Sequence, residues 1–144
     1  VPITALIGAI IDALRAEYAR AGVDAQCVPF IDAMGAAYAQ ADLVIARSGA
    51  TTVAELAAVG IGSVLVPYPH AADDHQVDNA KQLAEREAAV LILQRDLSPD
   101  GLAAWLASVT RPQLLEMARA ARAMRKAEAV GRVADVCAEL GTPR

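Results

Sequence analysis

Short apolar runs recur along the chain, and stretches with the spacing of an amphipathic helix separate them. The apolar runs predict buried strands at about residues 23–28, 43–46, 63–66 and 89–93. Around the middle runs, strand, turn and helix follow one another in the order of the βαβα unit of a doubly wound sheet. In such sheets, the turns after the carboxyl ends of the strands carry the ligand site.

The helical stretches carry boundary signals. Gly22 and Gly60 are expected to end the first and third helices, and Ser98 with Pro99 is a strong start for the fifth. The first stretch, from Ile3 to about Ala21, has one apolar stripe: Ile7, Ile10, Ile11, Leu14 and Tyr18. Later helices are predicted at about residues 32–40, 51–59, 74–86, 98–108, 112–126 and 129–140. We therefore predict an α/β fold, a doubly wound Rossmann-like parallel sheet with flanking helices and a helical C-terminal end.

Composition narrows the class of protein. A length of 144 residues predicts a single domain over residues 1–144. The formal net charge of −4 argues against nucleic acid as a partner, because no basic field is present to meet phosphate backbones. Cys27 and Cys137 lack metal-ligand spacing and lie in apolar surroundings, which favours buried free thiols in a reducing cytoplasm over a disulfide.

The two ends of the chain differ in character. Residues 1–14 are almost entirely apolar, but this run is too short to span a bilayer and lacks the basic start of a signal peptide. Because the chain does not begin with methionine, we expect it to be a piece of a longer protein. The C-terminal region is locally basic, with Arg119, Arg122, Arg125, Lys126 and Arg132. Solvated helix faces explain this charge better than a membrane- or anion-binding surface.

The turn at residues 48–52, Ser-Gly-Ala-Thr-Thr, is a candidate phosphate cradle. Gly49 allows a ligand to approach the backbone closely, and the free N–H groups at the start of the next helix attract anions. The hydroxyls of Ser48, Thr51 and Thr52 add donors. The alternative is ordinary helix capping, in which Glu55 completes a capping box with Thr52.

A second polar cluster follows the third predicted strand: Asp73, Asp74, His75, Gln76 and Asn79. Amide and imidazole groups both donate and accept hydrogen bonds, which suits the hydroxyls of a sugar. A metal site using this cluster with His70 is disfavoured, because adjacent residues point in different directions. His70 is otherwise a candidate loop acid or base, or simply an exposed histidine. Glu55 is placed to accept hydrogen bonds from a ribose diol.

Familiar catalytic signatures are missing from the sequence. No Gly-x-Ser-x-Gly elbow, Cys–His pair or Walker-type lysine is found. Three other motifs are informative together: RSGATTVAEL at residues 47–56, VPYPH at 66–70 and DHQVDNA at 74–80. With FIDAM at 30–34 and ADLVI at 41–45, they resemble the donor-binding domain of the MurG family of bacterial glycosyltransferases. The similarity extends from about Ile11 to the C-terminus, and residues 1–10 remain unaligned.

The resemblance implies the C-terminal half of a two-domain GT-B enzyme. Such enzymes transfer N-acetylglucosamine, with inversion, from UDP-N-acetylglucosamine to a lipid-linked muramoyl-pentapeptide in peptidoglycan synthesis, as peripheral proteins on the cytoplasmic face of the inner membrane. Phe30 and Ile31 would contact the uracil, and Glu55 the ribose. The diphosphate would face Ser48, Gly49, Ala50, Thr51 and Thr52. The N-acetylglucosamine and the ribose-phosphate side would meet His75, Gln76 and Asn79. No metal, no cofactor and no catalytic residue of this chain is implied.

Two departures from the family pattern limit this expectation. The acceptor domain with its proposed general base is not present, and the donor domain's own first strand and glycine-serine turn are not recognised before the helix expected from Ile3. We therefore expect the isolated chain to bind its donor weakly and to be catalytically inert. Three alternatives stay open: a stand-alone nucleotide-sugar module with a separate acceptor-binding partner, another UDP-sugar enzyme, and a truncated product without a function of its own.

Overall fold

The computed structural model describes residues 3–6, 11–70 and 74–141. The described elements are, in chain order, β1 (Ile3–Leu6), α1 (Ile11–Arg20), β2 (Ala25–Val28), α2 (Met34–Gln40), β3 (Val44–Ala46), α3 (Ala50–Val59), β4 (Ser63–Leu65), α4 (His75–Ala84), β5 (Ala89–Leu91), α5 (Pro99–Ser108), α6 (Arg111–Ala123) and α7 (Ala129–Gly141). Strands and helices alternate as far as β5, and three helices follow. The predicted α/β class with parallel strands and a helical C-terminal end is confirmed.

The chain divides into two compact units, Val1–Gln40 and Ala41–Arg144. In the first unit, β1 and β2 pair in parallel, with Ile3 opposite Ala25 and Leu6 opposite Val28. Helix α1 connects the two strands, as a parallel pair requires. From α1, the guanidinium of Arg15 donates a hydrogen bond to the main-chain oxygen of Cys27 at 2.9 Å, which ties this helix to β2.

The first element of the chain differs from its prediction. The prediction of a helix beginning near Ile3 is wrong, because Ile3–Leu6 is a strand and α1 begins only at Ile11. A continuous apolar run fits a buried strand as well as a helix, and here pairing with β2 satisfies its backbone. The expectation that no strand precedes α1 is wrong for the same reason. Ile7 and Ile10, which belonged to the predicted stripe, lie outside the described residues.

The second unit is built on a parallel sheet in the order β3-β4-β5. Strand β4 is central, with Val64 paired to Ile45 on one side and to Val90 on the other. Val64 and Leu65 are completely buried, as are Leu56 of α3 and Leu83 of α4. The core of this unit therefore lies between the middle strand and the helices that follow β3 and β4. Each of the four strands predicted from an apolar run is found, within two residues at either end.

Helix α6 packs tightly against the turn between α3 and β4. Gly60 ends α3 in the left-handed region, with φ of +76°, as predicted. A Cβ atom on Gly62 would lie 2.9 Å from the Cβ of Met117 in α6, and the guanidinium of Arg122 in α6 donates to the main-chain oxygen of Ala58. The two glycines therefore let α6 approach the backbone of this turn more closely than a side chain would allow.

Among the last three helices, α5 confirms its predicted start. Ser98 caps α5, and its hydroxyl accepts from the N–H of Gly101 at 3.1 Å. Helix α6 begins with a capping box between its N-cap residue Thr110 and Gln113, which was not predicted. The side chains along α7 are exposed. No helix in the described ranges is both long enough and apolar enough to cross a membrane.

Two further predictions concern single side chains. Both cysteines are free, but only Cys27 is buried, and the expectation that Cys137 is buried is wrong because it lies on the exposed helix α7. In the basic C-terminal region, Arg119 forms an ion pair with Glu116 at 2.6 Å, with both side chains largely exposed. This contact, with the bond from Arg122 to Ala58, supports the interpretation of these arginines as parts of solvated helix faces.

Candidate functional site

Two turns of the second unit meet at one edge of its sheet. Strands β3 and β4 are adjacent and parallel, and their last residues, Ala46 and Leu65, lie opposite each other. The first turn leads from β3 into α3, and the second leads from β4 towards α4. Because parallel neighbours end at the same edge, the two polar segments singled out in the sequence are brought together, as the rule for doubly wound sheets predicts.

Helix α3 starts at Ala50, with Gly49 as its N-cap residue. Thr52 therefore lies inside the first turn, and the alternative interpretation, a capping box between Thr52 and Glu55, is wrong. Glycine offers no side chain to cap the first-turn N–H groups, and no side-chain cap hydrogen bond is present at this position. The N-terminus of α3 thus keeps the feature that makes such termini bind anions, main-chain donors at the positive end of the helix dipole.

The described residues leave open space beside Gly49. Of their atoms, a Cβ atom built there would meet only the Oγ1 of Thr52, at 3.8 Å, which is ordinary van der Waals contact. The backbone at Gly49 has φ of −61° and ψ of 149°, values that any residue adopts. The fold itself therefore does not require glycine at this position. What glycine does provide is free access to the first turn of α3.

Ser48 joins this turn to α4. Its side chain is completely buried, and its hydroxyl donates to the main-chain oxygen of Gln76 at 2.7 Å. In return, the side-chain amide of Asn79 donates to the main-chain oxygen of Ser48 at 3.1 Å. These two hydrogen bonds connect residues far apart in sequence and hold the start of α4 beside the start of α3. The hydroxyl hydrogen of Ser48 is directed to Gln76.

Three further hydrogen bonds fix the turn after β4. The main-chain N–H of Tyr68 donates to the Oε1 atom of Gln76 at 3.0 Å. The guanidinium of Arg47 donates to the main-chain oxygens of Val66 and Pro67, each at 3.1 Å. Arg47 and Tyr68 are not among the residues predicted to touch a ligand. Their positions directly after β3 and soon after β4 are the signal that could have identified them.

The entrance to α4 has an unusual backbone. Asp74, its N-cap residue, has φ of +52°, a left-handed conformation that aspartate tolerates better than most residues. His75 is exposed, and so is His70, whose ring lies edge-on to Tyr68 with 5.6 Å between centroids. Asp73 lies outside the described residues. Within the residues that are described, no group of three or more histidine, cysteine, aspartate or glutamate side chains could hold a metal ion.

The predicted site residues fall into two groups. In the second unit, Ser48, Gln76 and Asn79 are in direct contact, while Ala50, Thr51, Thr52 and Glu55 lie in the first two turns of α3. Thr52 and Glu55 are half-buried. In the first unit, Phe30 and Ile31 follow the end of β2, where Phe30 is 70% exposed and Ile31 is half-buried.

Comparison with known families gives one match that covers most of the chain. Residues 5–133 match the model of the glycosyltransferase family 28 C-terminal domain. Two curated relatives are both named UDP-N-acetylglucosamine--N-acetylmuramyl-(pentapeptide) pyrophosphoryl-undecaprenol N-acetylglucosamine transferase. The one from Cupriavidus necator is 57% identical over 130 residues, covering 90% of this chain and 36% of the relative. The one from an Azoarcus species is 59% identical over 134 residues, covering 93% of this chain and 38% of the relative.

Solved structures agree with this match. The crystal structure of MurG from Acinetobacter baumannii aligns with a TM-score of 0.89 and 39% identity, over 96% of this chain and 43% of that chain. The glycosyltransferase VinC, solved with dTDP, aligns with a TM-score of 0.67 at 19% identity, over 96% of this chain and 42% of that one, which is a likeness of fold alone. The chain therefore spans less than half the length of these relatives and neighbours.

Proposed function

Because the chain belongs to the glycosyltransferase family 28 C-terminal domain family, we propose that it binds UDP-N-acetylglucosamine as the donor-binding half of a GT-B glycosyltransferase. The names of the curated relatives support this choice of sugar nucleotide. The observation that carries the proposal is the open N-terminus of α3, held by hydrogen bonds beside the polar start of α4. One turn offers main-chain donors for phosphate, and the other offers side chains for sugar hydroxyls.

The diphosphate is assigned to the first turn of α3. Gly49, Ala50, Thr51 and Thr52 would supply main-chain N–H groups and two hydroxyls, and the helix dipole would favour the negative charge. Ser48 is completely buried and would contribute by fixing the position of this turn rather than through its hydroxyl. Glu55, one turn further along α3, is assigned to the ribose hydroxyls, since a carboxylate accepts hydrogen bonds from both of them.

The N-acetylglucosamine is assigned to the first turn of α4. His75 is exposed there, and the side-chain oxygen of Gln76 already accepts from Tyr68, so the amide of Gln76 is oriented by the protein. Asn79 would support the same turn through its bond to Ser48. For the first unit by itself, Phe30 and Ile31 are assigned to the uracil, because an exposed aromatic ring after a strand is suited to contact with a base.

For the whole enzyme, we propose transfer of N-acetylglucosamine to the lipid-linked muramoyl-pentapeptide in peptidoglycan synthesis, at the cytoplasmic face of the inner membrane as a peripheral protein. The reaction would be a direct displacement with inversion at the anomeric carbon, in which the departing UDP is stabilised by the main-chain donors of α3. No residue of this chain is assigned as the catalytic base. Its part in the reaction would be to bind the donor and stabilise the leaving group.

The test is calorimetric titration of the chain with UDP-N-acetylglucosamine, UDP and UMP, repeated with Gly49→Ala. The unmodified chain should bind the first two ligands and lose most of its affinity with UMP. Gly49→Ala should fold normally, since its Cβ would meet no described atom closer than 3.8 Å, but should bind UDP about tenfold or more weakly because the methyl group obstructs the first turn. Gly131→Ala in α7 is the matched control, since a Cβ atom there meets no described atom within 4 Å and so adds a methyl group without a clash away from the candidate site. Equal UDP affinity in all three proteins would refute the assignment of the diphosphate.

A further inference from the structure

Arg47 links the two turns that form the candidate site. It follows β3 directly, and its guanidinium donates to the main-chain oxygens of Val66 and Pro67 in the turn after β4, each at 3.1 Å. The same guanidinium lies 5.8 Å from the centre of the Tyr68 ring, within the range of a cation–π contact. Val66 and Pro67 are buried, so their oxygens depend on protein donors.

These contacts belong to a closed ring of interactions. Tyr68 donates from its main-chain N–H to the Oε1 atom of Gln76, and the main-chain oxygen of Gln76 accepts from the hydroxyl of Ser48. Ser48 is the residue after Arg47, which completes the ring. We call Arg47, Ser48, Pro67, Tyr68 and Gln76 the clasp. Each member fixes the next, so loss of one contact is expected to loosen the others.

We propose that Arg47 is a positioning residue for the sugar end of the donor, acting through Tyr68 and the side-chain amide of Gln76. The proposal rests on the assignment of the N-acetylglucosamine to the start of α4. By holding the Pro67–Tyr68 peptide, Arg47 keeps the Tyr68 N–H on the Oε1 atom of Gln76. Because Oε1 accepts from the protein, the NH₂ group is the part of the amide left to donate to a sugar hydroxyl or carbonyl oxygen.

The alternative is that Arg47 binds the diphosphate directly as a charge. The two roles predict different losses. A positioning residue acts on contacts with the sugar, so its removal should weaken the binding of UDP-N-acetylglucosamine more than the binding of UDP. If Arg47 binds the phosphates directly, its removal should weaken the binding of UDP and of UDP-N-acetylglucosamine equally. The affinity should then also depend less on salt, because an exposed charge–charge contact has been lost.

The experiment compares the unmodified chain with Arg47→Met, Arg47→Lys and the control Arg119→Met, whose arginine lies exposed on α6 beside Glu116. Calorimetry well below the unfolding temperature gives the affinities for UDP and UDP-N-acetylglucosamine at two salt concentrations. Amide hydrogen exchange of Tyr68 in the ligand-free chain measures how stably the clasp is formed. Arg47→Met should lose about tenfold in affinity for UDP-N-acetylglucosamine and less for UDP, with an unchanged salt dependence, and Tyr68 should exchange at least about tenfold faster. Arg47→Lys should recover part of both effects, and Arg119→Met should change neither.

Several results would overturn the inference. Equal losses for the two ligands with a weaker salt dependence would make Arg47 a phosphate ligand, and unchanged exchange at Tyr68 would show that the clasp does not depend on it. Unaltered affinities in Arg47→Met, with normal binding by the unmodified chain, would refute the positioning role alone. If the unmodified chain binds neither ligand, the proposed function fails and the donor-binding role of Arg47 fails with it, whereas the exchange measurement still shows whether Arg47 holds the clasp.

Discussion

Ser48 and Ser63 form a natural pair for measuring what the bond between the two turns contributes. Both serines lie in the second unit and are completely buried. The hydroxyl of Ser48 donates to Gln76 at 2.7 Å, whereas the hydroxyl of Ser63 in β4 has no hydrogen-bond partner among the described residues. The substitutions Ser48→Ala and Ser63→Ala therefore remove the same atom from equally buried positions and differ in the hydrogen bond that is lost.

The expected magnitudes follow from this difference. Ser48→Ala removes a hydrogen bond that is present in the folded chain and leaves the main-chain oxygen of Gln76 without that donor. This should lower the free energy of unfolding by about 1–2 kcal/mol. Ser63→Ala removes a buried hydroxyl without a partner in the described part of the chain, and should leave the stability unchanged or raise it by about 1 kcal/mol. A gap of about 2 kcal/mol corresponds to roughly 4–8 °C in the midpoint of thermal unfolding for a chain of this size.

Urea unfolding measures this gap directly. Trp105 on α5, the single tryptophan of the chain, lies in the same unit as both serines and reports on its unfolding by fluorescence. The midpoints should move in opposite directions, or Ser63→Ala should stay at the value of the unmodified chain, with no change in the dependence on urea. An equal loss in both variants would show that burial alone, and not the bond to Gln76, sets the cost, and the account of how α4 is held would then be wrong.

Two further predictions test packing and ligand contacts. Gly62→Ala should lower the free energy of unfolding by about 1–3 kcal/mol, because its Cβ would lie 2.9 Å from the Cβ of Met117 and α6 would have to move; urea unfolding measures this, and an unchanged or raised free energy of unfolding would contradict it. Glu55→Ala should weaken UDP binding by about 10- to 100-fold, since hydrogen bonds from the ribose to a charged group are lost, while the binding of inorganic pyrophosphate should be unchanged. Calorimetry with both ligands measures this. Equal losses for the two ligands would show that Glu55 does not bind the ribose.

Much of the local structure follows from short stretches of sequence. The apolar runs that become β2, β3, β4 and β5 were recognisable because a buried strand needs only a few consecutive apolar residues. The start of α5 was equally local, since Ser98 caps a helix whose next residue is proline. The meeting of the two polar turns at one edge of the sheet also followed, because the order of strands and helices determines which turns lie side by side in a parallel sheet.

The tertiary structure decided what depends on partners far away in the chain. Residues 3–6 form a strand because β2 is available to pair with them, which no local periodicity could show. Cys137 is exposed because α7 presents all its side chains outward, although its neighbours in sequence are apolar. In both cases, the surroundings created by folding, rather than the residues themselves, determined the outcome.

The candidate site shows the same division. The sequence by itself determined which residue types surround it: a glycine before a helix, hydroxyls, a carboxylate and a second polar turn. Only the folded chain showed that Ser48 is turned inward to Gln76, that Asn79 reaches back to Ser48, and that Arg47 holds the turn after β4. These bonds join residues 28, 31 and 20 positions apart. They exist because the parallel crossover places two distant turns side by side, and buried polar groups there must find their partners in each other.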